Sequence, residues 1–100
     1  MRYNLYMIRV DRLIWDTGNI AHIARHDITT KEVEIVCHNN PVFISGHSGR
    51  LMAIGKTNDE KTVSVILDPK DEEGVWYVVT ARSADKKERV LYKTTKGESL

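Results

Sequence analysis

The sequence predicts an α+β fold, and three kinds of signal predict it. Helix starts are written twice as capping boxes, Thr29 with Glu32 and Asp85 with Glu88, each pair three residues apart so that cap and carboxylate satisfy one another's backbone N–H. From Pro41 onward the apolar period drops to that of strands, in three or four runs separated by turn residues. The helical signals flank those runs and do not alternate with them, which places the helices on one face of a mostly antiparallel sheet.

The elements follow in order. Leu5 to Trp15 alternates at period two, broken by Arg9, Asp11 and Arg12, and reads as a strand or a pair of short strand pieces, partly exposed. Asp16 or Thr17 then caps a helix to about His26, with Ile20, Ile23 and Ala24 as its buried stripe. Ile28 and Val33 are spaced as a hydrophobic staple around the Thr29 cap, and the second helix carries Val33, Val36 and Cys37 inward until Asn39-Asn40-Pro41 breaks it. Val42 to Ser45 and Arg50 to Thr57 flank Gly46-His47-Ser48-Gly49 as a hairpin, glycine supplying positive φ where the turn needs it. Asn58 to Lys61 turns the chain into Thr62 to Leu67. An acidic loop, Asp68 to Gly74, leads to Val75–Thr80, whose β-branched and aromatic content suits a central strand covered on both faces. A third helix runs from about Lys86 toward Thr94, and residues 95–100 read as a frayed tail.

Composition bounds the function. One hundred residues with 41% hydrophobic content make one domain with a real core, residues 1–100. No run is long and apolar enough to span a membrane, and the first residues lack the apolar segment of a signal peptide. A single cysteine, Cys37, cannot form an intrachain disulfide and fits a reducing cytoplasm. With 15 basic against 14 acidic residues, any grip on nucleic acid must come from local clustering of charge.

Arg82 stands at the end of the Val75–Thr80 run and just before the Asp85 cap. A rigid strand and a helix N-terminus beside it make its planar five-donor fork a phosphate clamp. The same placement equally serves an ion pair that ties strand to helix.

The residues also carry a resemblance. Trp15-Asp16, Asn19, His26-x-Ile28, Glu32-Val33, Gly49-Arg50, Ala53 to Thr57, Val78 to Arg82, Ala84, Glu88-Arg89 and Tyr92 follow one another as landmarks similar to those of the BrnT family. The resemblance covers Ile14 to Tyr92. It implies a fold like that of the RelE toxins, and a toxin ribonuclease of a bacterial type II toxin–antitoxin pair that cleaves RNA without metal or cofactor and halts translation. It also implies a ribbon-helix-helix antitoxin as partner, with DNA contacted only through that antitoxin and no membrane involved. The sequence departs from the family pattern at two places. The expected Thr-x-Arg is Leu67-Asp68-Pro69-Lys70, and the expected His-Gly-Val is His26-Asp27-Ile28. Acidic Asp68, Asp71, Glu72 and Glu73 lie where an RNA site favours positive charge. These departures leave a second reading, a protein of this fold that has lost catalysis and only binds the antitoxin and assists repression of the operon.

Cleavage of RNA without metal needs a base for the 2′-OH, cations around the phosphate and an acid for the leaving 5′-oxygen. Arg82 and Arg50 are the candidates for the phosphate, with Lys56 and Arg89 beside them. The acid or base is one of His26, His47, Glu88 and Tyr92. His22 and His26 stand i, i+4 as zinc ligands do, but Ile23 follows His22 where a zinc hydrolase carries glutamate, and no third ligand has a clear place. Trp76 and Tyr77 point to opposite faces of their strand. The outward ring serves either the core or a base-stacking platform.

Overall fold

The computed structural model describes residues 8–97. β1 (Arg12–Ile14), α1 (Thr17–Ala24) and α2 (Thr30–His38) precede β2 (Val42–Ser45), β3 (Leu51–Lys56), β4 (Thr62–Pro69) and β5 (Val75–Ser83), and α3 (Lys86–Thr95) closes the order. The strands form one sheet in the order β1-β5-β4-β3-β2, with β1 parallel to β5 and the other neighbours antiparallel. The α+β class and the succession of elements agree with the sequence reading.

All three helices begin where local chemistry places them. Asp16, Thr29 and Asp85 are the N-caps, and each closes a reciprocal box with the residue three positions on, Asn19, Glu32 and Glu88. Period-two alternation then sorts the strands into two faces. Leu51 and Ala53, Val63, Val65 and Leu67, and Trp76, Val78 and Ala81 turn toward α1 and α2 and bury Ile23, Val33, Val36 and Cys37 between the layers. α2 comes so close to β3 that a side chain at Gly55 would sit 3.2 Å from Val36 Cγ1. The opposite face carries a smaller cluster, Val42, Ile54 and Tyr92, with Ile44 and Met52 half-buried against it. Tyr92 is how α3 docks there.

Several details differ from the expectation. The helices do not share one face: α3 packs on the side of the sheet opposite α1 and α2, because its apolar and acid residues meet Ile54 and Ser64, which alternate away from the main core. The strand β5 is interior but not central; β4 is the middle of the five. It runs to Ser83, so Arg82 lies within it, and Tyr77, Val79 and Thr80 are only half-buried. Ile20 is 43% exposed and Ala24 is exposed too, leaving Ile23 with Asn19 as the buried side of α1. That helix ends at Ala24, and Arg25 to Asp27 form a turn in which Asp27 takes φ 60°. In the hairpin Gly46 is extended, and positive φ falls on Ser48 and Gly49. The ordered part of β1 is three residues within the predicted Leu5–Trp15 run, of which residues 5–7 lie outside the described residues. Gly74 explains how so short a strand is held. Its carbonyl accepts from the N–H groups of Asp11 and Arg12 at 2.8 and 3.1 Å. Its φ of +83° and a Cβ position only 2.2 Å from Asp11 Oδ2 leave room for glycine alone. At the other terminus α3 continues to Thr95, Lys96 caps it and its ammonium donates to Asn40 O; residues 98–100 lie outside the described residues.

Candidate nucleic-acid interface

The face of the sheet away from α1 and α2 is only partly covered. α3 lies over its Ile54 end, and the rest opens as a groove of about 650 Å³ floored by Ile44, Met52 and Ile66, with Ser45, His47, Ser48, Arg50 and Asp68 at its rim. Arg82 belongs to this face. It pairs in register with Ser64 of β4, two residues from Ile66, so it stands about 7 Å along the strand from the groove floor.

Arg82 is clamped. Its Nη1 and Nη2 donate to Glu88 Oε1 and Oε2 at 2.7 and 2.9 Å. Glu88 Oε1 also accepts from Ser64 Oγ at 2.9 Å and from the Asp85 N–H at 2.9 Å. The capping glutamate therefore does two jobs, closing the first turn of α3 and fixing the arginine of the preceding strand. Ser64, fully buried and absent from the candidates read in the sequence, is the third member of this network. The clamp, with a weaker bond from Nη1 to Ser83 O at 3.3 Å, consumes only one edge of the guanidinium. The Nε–H and the remaining Nη2 hydrogen have no partner among the described residues, and the side chain is 38% exposed. Those two donors are parallel, the geometry that takes two oxygens of one phosphate.

The electrostatics follow from the clamp. The Arg82 hydrogen bonds hold the Glu88 carboxyl down at about 2, and Glu88 in turn raises the Arg82 guanidinium. A carboxylate so acidic is a poor proton acceptor at neutral pH, and the contacts of Glu88 are those of a group that holds Arg82. The sign of the stability effect is fixed: with the folded value depressed below 4.5, the contribution is whole above about pH 5 and is lost as pH falls toward about 2. The full shift corresponds to roughly 3 kcal/mol, and solvent around the half-exposed arginine brings it to about 1–2 kcal/mol. Glu88→Gln is expected to melt several degrees lower at pH 7 and to narrow the difference from the unsubstituted chain by pH 3, as read by thermal melts across that range.

The other candidates are distributed unevenly. Arg50, at the foot of β3, faces Asp68 with Nε 3.6 Å from its carboxylate. Asp68 sits four residues from Ser64 on β4, so about 13 Å of strand separates the Arg50 and Arg82 ends of the face. Lys56 pairs with Glu60 at 3.2 Å and lies 5.9 Å from the Tyr92 ring centroid, as does Lys96. Tyr92 itself is 8% exposed and packs in the small core. Arg89 donates to Ala84 O at 2.8 Å. It forms part of the cluster that the near-zero net charge hid: Lys86, Lys87, Arg89, Lys93 and Lys96 on or capping α3, against the N-cap Asp85 and Glu88, the latter already neutralised by Arg82. His47 lines the groove. His26 does not come near it, since it follows α1 on the opposite layer, with its ring 5.6 Å from that of His22. Among the described residues no three His, Cys, Asp or Glu side chains converge as a metal site. Burial pushes the Cys37 thiol up to about 12, which removes it as a nucleophile. No helix of the described residues is long and apolar enough to cross a membrane.

The fold is that of a small α+β protein with a clamped arginine near the end of β5 on the open face of its sheet. The comparison with solved structures agrees: the chain is similar to the Brucella abortus ribonuclease toxin BrnT, known from a crystal structure at 1.1 Å resolution, with 27% identity and a TM-score of 0.60 over 75% of this chain and 97% of that one. No protein-family model matches the sequence, and no curated protein does. The resemblance read from the ordered landmarks is thus borne out in three dimensions.

Proposed function

We propose that this protein is a ribonuclease toxin of a type II toxin–antitoxin pair, cleaving RNA with its own side chains and held silent by a ribbon-helix-helix antitoxin. The observation that supports it best is the pair of unengaged, parallel N–H donors on a guanidinium locked by Glu88 and Ser64. In this reading Arg82 grips the scissile phosphate and stabilises the charge that builds as the 2′-oxygen attacks and the 5′-oxygen leaves. The cations of α3 attract the flanking backbone, and Arg50 and Lys56 lie at the two ends of the same face. His47 lines the groove at the Arg50 end, about 13 Å of strand from Arg82 and outside hydrogen-bond reach of the phosphate that Arg82 holds. His26, the other histidine candidate, acts away from the phosphate in this arrangement.

A second reading has its own support. Arg50 is drawn toward Asp68, and the acidic loop borders the groove, as in a protein that keeps the antitoxin surface and has lost cleavage. The partner test covers both readings, since each requires an antitoxin. Co-expression with the neighbouring reading frame should give a complex that survives size exclusion at micromolar concentration and abolishes growth arrest caused by the chain alone. Separate elution of the two proteins would contradict the toxin–antitoxin assignment, and a stable complex without any arrest by the chain alone would favour the non-catalytic reading.

A further inference from the structure

We propose that Tyr77, with Lys70 lying over its ring, is a nucleobase-stacking subsite on the open face beside the groove, Lys70 serving the phosphate beside the stacked base. The inference rests on the ribonuclease reading and adds to it the residue that holds a base of the substrate.

The placement comes from the sheet register. β4 and β5 slip between Ile66 and Leu67, and beyond the slip Asp68 pairs with Tyr77 while Leu67 pairs with Val78. Leu67 and Val78 go into the main core, so Asp68 and Tyr77 stand side by side on the open face, Asp68 on the groove rim and Tyr77 beside it on β5, between the groove and the β1 edge. Trp76, its neighbour in β5, is 5% exposed and spends its indole N–H on Arg9 O at 2.9 Å, whereas the Tyr77 ring remains half-exposed. The ring is held in place from its tip. Its hydroxyl donates to Asp16 Oδ2 at 3.0 Å, reaching the cap of α1 across the edge of the sheet. A platform fixed before binding loses little freedom when a base lands on it. Lys70, exposed on the acidic loop, holds its ammonium 5.1 Å from the ring centroid. A base stacking there displaces that ammonium from the ring and leaves it beside the backbone of the same nucleotide.

The charges around the groove favour a base over a bare phosphate. Arg50 faces Asp68, and the floor of Ile44, Met52 and Ile66 is apolar. The cation excess lies at the other end, on α3. The open face thus divides into a phosphate half at Arg82 and a base half at Tyr77.

The test uses a fully 2′-O-methylated single-stranded RNA, which lacks the hydroxyl that attacks, and a matched strand carrying abasic residues. The unsubstituted chain is expected to bind the base-bearing strand about tenfold more tightly, in keeping with the usual strength of one base–aromatic stack. Tyr77→Leu should lose that preference, and Tyr77→Phe should keep it while melting earlier for want of the Asp16 bond. Lys70→Ala should keep the preference but show a shallower dependence on salt, by about 0.7 in the logarithmic slope for one phosphate contact. Equal binding of the two strands by the unsubstituted chain overturns the proposal without needing any variant. A base preference retained in Tyr77→Leu also overturns it, as does loss of antitoxin affinity alone in that variant. Failure of the unsubstituted chain to bind either strand removes both the subsite and the ribonuclease reading beneath it.

Discussion

Arg82→Ala is expected to lower RNA cleavage on the order of a hundred- to a thousand-fold per folded molecule. The contact it deletes strengthens as charge builds on the phosphate, which is why the loss falls on the chemical step. The same substitution has a second effect that the clamp makes unavoidable. Glu88 loses both of its bonds from Arg82 and keeps those from Ser64 and the Asp85 N–H. A drop in stability of about 1–2 kcal/mol follows, or several degrees in Tm for a chain of this size. Activity must therefore be normalised to the folded fraction. Arg82→Lys separates the two effects: an ammonium pairs with Glu88 and restores part of the melt, but offers no parallel edge to the phosphate. Glu88→Gln supplies the reverse case, an arginine still present but less firmly held. Cleavage should fall most in Arg82→Ala, nearly as far in Arg82→Lys, and least in Glu88→Gln. Full activity per folded molecule in Arg82→Ala would leave the clamp as a purely structural tie between β5 and α3.

Asn19→Ala is expected to be the most destabilising single change outside the apolar core. Asn19 is 2% exposed. Its amide nitrogen donates to Ile14 O at 2.9 Å and Val78 O at 3.1 Å, its oxygen accepts from the Asp16 N–H at 2.9 Å, and its own N–H donates to Asp16 Oδ1 at 2.8 Å. One side chain thus caps α1 and joins that helix to two strands of the sheet. Truncation strands the buried Val78 carbonyl and the part-buried Ile14 carbonyl and Asp16 N–H, at about 1–3 kcal/mol for a buried group left unpaired and less where water reaches. About 3–5 kcal/mol in total, allowing for partial relaxation, lowers Tm on the order of 15 °C. Asn19→Asp should do no better, since it turns a carboxylate oxygen toward two carbonyls. Asn58→Ala, at an exposed turn, is the control and should change Tm by little. A normal melt for Asn19→Ala would show that α1 is held by Ile23 alone.

How much of this was legible in the sequence depends on the range of the interaction. Helix starts at Thr29 and Asp85 were readable because a capping box is complete within four residues. Strands β2 to β5 were readable because alternation is local as well. The side on which α3 packs was not, since its capping box says where the helix begins and nothing about which sheet face receives Tyr92. Ile20 differs from expectation for a related reason: apolar spacing marks a stripe, yet Asn19, a polar residue, occupies the buried position beside Ile23 because three side-chain hydrogen bonds satisfy it there. Arg82 and Glu88 were both identified, with the pairing of that arginine to a carboxylate weighed beside phosphate binding. The structure shows that the pairing is made by the capping residue itself and still leaves one edge of the fork open. Ser64 and the Tyr77–Asp16 bond join residues far apart in the chain, and no local pattern marks them. His26 and His47 are alike as proton carriers in the sequence, and only the fold puts His26 on the opposite layer and His47 at the Arg50 end of the groove.

The central claim is that the chain cuts RNA with its own side chains at the open face of the sheet. The most direct measurement is the fate of a single-stranded RNA incubated with the purified, antitoxin-free chain in excess chelator. The account predicts cleavage that persists in chelator, products ending in a 2′,3′-cyclic phosphate, and no cutting of the 2′-O-methylated strand. An intact RNA, or cleavage that vanishes in chelator and returns with added zinc, would contradict it.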